Sequence, residues 1–207
     1  MTTRDSDDLP LTARFERAYR VMRSPSFLEM KGQIGEVPYF VLAYKPSDEP
    51  RVGAEHKRLV TRLRTDGLEV CDIDLWALAN ELWSATGQWE LILEQETALP
   101  KAVFSEGVGN VISPKDYLSP RIARIVEDQR PRPQVVLLSN VGRLYPLVRA
   151  HTVLNTLQPL LADLPIVLVF PGTYRQSPTQ GSSLVLFDRL TDDDYYRAFD
   201  LLELENS

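Results

Sequence analysis

Residues 39–85 read YFVLAYKPSDEPRVGAEHKRLVTRLRTDGLEVCDIDLWALANELWSA, and this stretch decides the fold. Residues 39–44 are an unbroken apolar run between Pro38 and Pro46, short and aromatic enough to predict a buried strand. Residues 51–66 carry Leu59, Val60 and Leu63 on one face and charges on the other, which predicts a helix that stops at Gly67. Residues 68–75 (LEVCDIDL) predict a second strand, and residues 76–85 a second helix closed by Gly87. Strand, helix, strand, helix at this spacing is the pattern of right-handed parallel βαβ units.

Toward the carboxyl terminus the same reading continues. Residues 135–138 (VVLL) and 166–170 (IVLVF) are short apolar strands. Pro146 suits the first turn of a helix running to Gln158, where Pro159 ends it. Residues 171–182 read as a turn-rich loop, 184–187 (LVLF) as a final edge or antiparallel strand, and 192–202 as a closing helix. Thr191 would cap that helix, and three acids fill its first turn. Toward the amino terminus, residues 11–30 predict an amphipathic helix with Phe15, Ala18, Tyr19 and Met22 on its apolar stripe. Arg14, Arg17 and Arg20 are expected off that stripe.

The middle is harder to read. Residues 89–96 fit strand or helix, residues 105–114 with Gly107, Gly109 and Pro114 read as a loop, and residues 117–128 fit a helix with Ile122, Ile125 and Val126 inward. The expected architecture is α/β: a single-domain, three-layer sandwich with a mainly parallel central sheet of about five strands. Its layout is Rossmann-like or P-loop-like, without a P-loop. Residues 1–10 are expected to be a flexible tail and residues 11–207 one domain.

Composition narrows the function classes. The 207 residues carry 23 Lys and Arg against 29 Asp and Glu, for a net charge of −6. A nucleic-acid-binding domain is usually basic, so direct nucleic-acid binding is disfavoured. The lone Cys71 excludes an internal disulfide and a cysteine-rich zinc site. There is no signal-like apolar segment at the start and no run long enough to cross a membrane, so a cytoplasmic location is expected.

Several catalytic signatures are missing. No GxxxxGK[ST] occurs, Gly107-Val108-Gly109 supplies only two of the three glycines of a dinucleotide loop, and no GxSxG elbow is found. No cofactor or metal is therefore expected, and no catalytic residue is assigned. In a parallel sheet, ligands bind beyond the carboxyl ends of the strands. The strand ends bring Lys45, Asp74, Asn140, Arg143 and Tyr174 toward one edge, a candidate pocket for an anion or a partner's side chain. The same residue types also serve simply as strand caps and turns. Asp72 and Asp74 are a carboxylate pair of the kind that holds Mg²⁺, but no phosphate loop accompanies them. His151 shares a helical stripe with Leu147 and Leu154 and reads as a core histidine. Arg149 falls on the other side of that helix. The helix holding YYRAF places Tyr195 and Arg197 among favoured interaction residues, so Arg149, Tyr195 and Arg197 are the candidate partner-binding residues.

The carboxyl-terminal half resembles a known family. In order, it contains VLLSNVGRLYPLVRAHTVLNTL at 136–157, PIVLVFPGTY at 165–174, SLVLFDRL from Ser183 and YYRAF from Tyr195. The series is similar to the BrxB family of BREX bacteriophage-defence systems, and the earlier YFVLAYKP and LEVCDIDL strands fit it in order and spacing. The sequence departs from the family at Asn140, where a small or Thr-like residue is expected, and in the insertion at 175–182. The resemblance implies a cytoplasmic defence component. It would act beside a PglZ-type protein of the alkaline phosphatase superfamily, a large ATPase and an adenine DNA methyltransferase. It supplies no catalytic residue. The implied role is a non-enzymatic assembly or adaptor subunit binding the PglZ-type protein. The alternative is a degenerate nucleotide-binding or phosphoryl-transfer domain using Lys45, Asp74, Asn140 and Arg143.

Overall fold

Four long apolar segments form the sheet's centre in a computed structural model that describes residues 9–29, 39–87, 89–177, 181–191 and 198–206. They are β1 (Tyr39–Tyr44), β2 (Val70–Asp74), β3 (Val135–Ser139) and the first half of β4 (Ile166–Ser177). All pair in parallel. The register runs from Tyr39 opposite Ile166 to Tyr44 opposite Pro171, and from Val70 opposite Val135 to Asp74 opposite Ser139. A two-residue strand, β7 (Phe199–Asp200), joins β1 in parallel and completes the order β2-β3-β4-β1-β7. Beyond Pro171, β4 continues into an antiparallel extension with β5 (Gly181–Leu186) and β6 (Leu190–Thr191).

Alternation along the strands feeds two cores, because successive side chains point to opposite faces. On one face Tyr39, Val41, Ile73, Val136, Leu138 and Leu168 pack beneath α4 (Leu75–Ala85), α6 (Lys101–Val111), α7 (Ser119–Asp128) and α8 (Ala150–Leu157). On the other, Phe40, Leu42, Leu137, Val167 and Val169 pack beneath α1 (Leu11–Met22), the one-turn α2 (Pro25–Leu28) and α3 (Glu49–Thr65). A short helix, α5 (Trp89–Glu94), lies between α4 and α6, where the sequence fitted strand or helix alike. The architecture is the expected three-layer α/β sandwich with a mostly parallel sheet.

The structure corrects several local expectations. Residues 171–182 are not simply a turn-rich loop, because β4 runs on to Ser177 and β5 begins at Gly181 in antiparallel pairing, and the single helix expected over residues 11–30 is broken between α1 and α2. Of residues 105–114, expected as a loop, 105–111 belong to the helix α6. The cost of two helical glycines, about 1 kcal/mol each, is offset because Val108 is buried and its carbonyl accepts a 3.0 Å bond from Trp83 Nε1. The helix expected from Pro146 begins only at Ala150. A 3-10 turn covers Val141–Leu144, and Tyr145 is extended (ψ 138°) before Pro146, as the residue preceding proline prefers. The last part of the expected closing helix is instead β7 followed by a 3-10 segment, Leu201–Asn206. Phe199 packs on Phe40 with ring centroids 6.3 Å apart, so pairing with β1 sets the conformation there. Residues 192–197 of that predicted helix lie outside the described residues. Finally, Arg14 is not off the buried stripe: it is 5% exposed, and its Nη1 donates to the Ala43 carbonyl at 2.9 Å. Its guanidinium closes the carboxyl end of β1.

Candidate functional site at the carboxyl edge of the sheet

The parallel register places the ends of β2 and β3 level, so Asp74 lies opposite Ser139 and one residue from Asn140. Asn140 is in the left-handed region (φ 61°), a conformation Asn tolerates better than most residues. From there its Nδ2 donates to Asp74 Oδ2 at 2.7 Å. Asp74 Oδ1 accepts from the backbone N–H groups of Trp76 and Ala77 at 2.9 and 3.0 Å, so Asp74 is the N-cap of α4. Neither carboxylate of the Asp72 and Asp74 pair is directed at a shared ion. Asp72 Oδ1 instead lies 2.7 Å from Nε2 of His56 on α3, while Asp74 is spent on Asn140 and the start of α4. Among the described residues no group of three or more His, Cys, Asp or Glu side chains is arranged to hold a metal.

Arg143 reaches the other way. Its Nε lies 3.6 Å from Glu49 Oε1, while Glu49 Oε2 accepts a 2.5 Å bond from the Tyr44 hydroxyl. Burial and the neighbouring Glu49 push the Tyr44 hydroxyl pKa far up, so Tyr44 stays a proton donor to the carboxylate. This chain ties the β3–α8 connection to the start of α3. Gly142 lets the same turn lie close against β4: a Cβ there would lie 2.5 Å from Pro171 Cγ.

Tyr174 does not reach the pocket assigned to it. It is buried, and its hydroxyl donates to the Ala198 carbonyl at 2.5 Å, which braces the β4 extension against the approach to β7. Lys45 is exposed and belongs to a separate cleft over β1 and β4. Thus Asp74 and Asn140 come together, Arg143 joins them only through the neighbouring turn, and Lys45 and Tyr174 stand apart. Glu49, the hub of the second group, went unselected because nothing in its sequence context distinguishes it from other helix-start acids.

Arg149 is the residue before α8 rather than a member of it, and it is exposed. It lines a cleft of 220 Å3 with Tyr145, Phe170, Leu184, Leu186 and Arg189. Tyr195 and Arg197 lie outside the described residues. A family model described as BREX protein BrxB matches residues 71–201, spanning β2 to the start of the last 3-10 segment. The chain belongs to the BrxB family. Two curated relatives, each called BREX protein BrxB, match nearly end to end. That from Bacillus cereus (strain H3081.97) is 28% identical over 196 residues, covering 93% of this chain and 98% of the relative. That from Escherichia coli O9:H4 (strain HS) is 23% identical over 198 residues, covering 94% and 93%. No solved structure matches significantly. In this BrxB-family chain the VGRLYP segment is the 3-10 turn over Gly142, and FPGTY is the point where β4 leaves the parallel sheet. Membership places the chain among components of BREX antiviral defence.

Proposed function

We propose that this chain is a non-enzymatic assembly subunit of a BREX complex and that it binds a PglZ-type protein in the cytoplasm. The observation that carries this reading is how the strand-end polar groups are spent. Asp74 caps α4 and holds Asn140, Glu49 engages Tyr44 and Arg143, and Tyr174 is bonded to the backbone. A catalytic carboxylate must meet its substrate's atoms at hydrogen-bond distance, whereas these groups fasten elements of the scaffold to one another. A rigid edge of this kind presents loops to a partner. Arg149, beside the aromatic Tyr145 and the apolar Leu186, combines the chemistry favoured in interface anchors. Tyr195 and Arg197 are proposed to extend that surface, and the large ATPase and the adenine methyltransferase are candidate further partners.

Nucleotide transfer at the strand ends has less support, because its four candidate residues do not converge on one space. The deciding experiment is co-purification of the tagged chain with a PglZ-type protein encoded beside it. A stable complex weakened by Arg149→Ala is the expected outcome. A chain that elutes alone, with the partner soluble and present, overturns the reading.

A further inference from the structure

A cleft of 540 Å3 opens over the carboxyl ends of β1 and β4, apart from the Asp74–Asn140 pair. Segments distant in sequence build it. α1 supplies Arg14, the residues after β1 supply Lys45 and Ser47, β4 supplies Gly172 and Thr173, and the turn between β5 and β6 supplies Phe187 to Arg189. Its place follows from the topology. β1 leads into α3 over one face, while β4 runs on into the antiparallel extension. Strand ends whose chains depart in different directions leave a crevice, and open α/β sheets take ligands in such crevices.

The charge of this cleft is unlike that of the chain around it. Two exposed cations, Lys45 and Arg189, stand on its wall with one acid, Asp188, in a protein of net charge −6. Elsewhere several surface arginines are paired with acids: Arg58 with Glu55 at 3.0 Å, Arg132 with Asp163 at 2.6 Å, Arg124 with Asp128 at 3.6 Å. Asp188 is itself engaged, accepting a 2.5 Å bond from Thr173 Oγ1. Among the described residues, no hydrogen bond or ion pair involves the side chain of Lys45 or Arg189. Arg14 is buried beneath the cleft and held by the Ala43 carbonyl, so its charge is fixed in place. Like charges lining a concave wall reinforce one another and raise the local concentration of anions.

The turn that carries Arg189 is built at a cost. Phe187 and Asp188 both take left-handed backbone angles, φ 54° and 59°, which a bulky aromatic residue rarely adopts. The conformation is held by the Phe187 N–H bond to the Pro171 carbonyl, 2.9 Å, and by Arg189 N–H to Leu186, 3.1 Å. Strain of this kind persists where the surrounding structure over-determines it. Here it keeps Phe187, Asp188 and Arg189 on the wall of the cleft.

We propose that this cleft binds a small phosphate-bearing ligand, with Lys45 and Arg189 holding its oxygens above the fixed charge of Arg14. Its volume lies in the range of small-molecule sites. The inference does not rest on the assembly role: Arg189 also borders the Arg149 cleft, whereas Lys45 and Arg14 line this cleft alone, and the titration below reads ligand binding by the chain without any partner.

The test is calorimetric titration of the full chain with inorganic pyrophosphate at low salt. Saturable binding at one site is expected. The double variant Lys45→Gln, Arg189→Gln should bind at least about tenfold more weakly, because two charge-assisted contacts are lost. Both side chains are exposed, so the variant should melt like the wild type. Arg58→Gln and Arg132→Gln, which remove paired arginines elsewhere, should leave binding unchanged. Three results overturn the proposal: no saturable binding by the wild type, equal binding by the double variant, or an equal loss in the control variants.

Discussion

Asn140 and Asp74 join the ends of two neighbouring strands through one 2.7 Å hydrogen bond, while the second Asp74 oxygen caps the helix that follows β2. A single carboxylate thus fixes three things: the level of β3 against β2, the left-handed turn after β3, and the first turn of α4. A carboxylate at a strand end reads in sequence as a ligand or an acid–base group. In the structure it is a fastener.

Asp74→Ala is therefore expected to lower stability by about 1–2 kcal/mol, the combined effect of a lost cap and an unpaired amide. Asn140→Gly keeps the left-handed backbone and should cost less. Urea denaturation of both variants measures the difference. If Asp74→Ala unfolds like the wild type but defence against phage is lost, Asp74 acts on a ligand and the fastener reading fails.

Gly172 sits where β4 turns out of the parallel sheet, with φ 147°, and a Cβ there would lie 2.0 Å from the Val185 carbonyl oxygen. Gly172→Ala has no small adjustment available, because the obstacle is backbone of the paired strand. It should cost more than about 2 kcal/mol or prevent folding. Gly53, within α3, has nothing within 4 Å of the same added atom. Gly53→Ala should raise stability by about 0.5–1 kcal/mol through helix propensity. Thermal melts by circular dichroism of the pair separate space from composition.

The Tyr39 hydroxyl is buried and bonds to no group among the described residues. Burial pushes its pKa well up, so it remains a neutral, unsatisfied donor. Tyr39→Phe removes the unsatisfied group and keeps the ring, so stability should hold or rise by about 1 kcal/mol. A melting temperature below that of the wild type would mean that the hydroxyl is bonded after all.

Burial, aided by the charge of Asp72, pushes the Cys71 thiol up to about 11 from 9.0. The folded state therefore keeps its proton where the unfolded chain has lost it. This contribution to stability is complete below pH 9 and is lost as pH rises through about 11. The stability difference between wild type and Cys71→Ala should narrow over that interval. Native protein at pH 8 should also label slowly with a thiol reagent and label fully in urea. Rapid native labelling would contradict the buried, protonated thiol.

The long strands were legible because their signal is local: YFVLAY and IVLVF are apolar throughout, as strands covered on both faces must be. What failed to show was set by contacts between distant residues. Phe199 and Asp200 become a strand only because β1 offers an edge, and two residues carry no periodicity to read. Gly107 and Gly109 suggested a loop, yet Val108 and Ile112 are drawn into the core beside Trp83. Arg14 was misplaced although its position was readable: it is three residues from Leu11 and four from Ala18, the spacing of the buried face. At the sheet edge the residue types were readable but their partners were not, because Glu49 meets Tyr44 and Arg143 only once β1, β3 and α3 are assembled.

His151 and Arg149 are two residues apart and are expected to fail in different ways. His151 is 8% exposed and lies on the inner face of α8 with Val153, Leu154 and Leu157, its Nε2 3.0 Å from the Thr152 hydroxyl. Truncation leaves a small cavity and strips the neighbouring polar groups of a partner, which should cost about 1–3 kcal/mol. Arg149 precedes the helix rather than riding on it. Its side chain makes no capping bond to α8 and is exposed. Arg149→Ala should therefore leave thermal stability within about 0.5 kcal/mol, as surface substitutions usually do. If Arg149 anchors a partner, that variant should still lose the complex, since guanidinium anchors act through charge-assisted hydrogen bonds. Melting curves and pull-downs on the two variants distinguish the outcomes. A His151→Ala protein that melts like the wild type yet no longer supports defence would make His151 a working residue and not a core one.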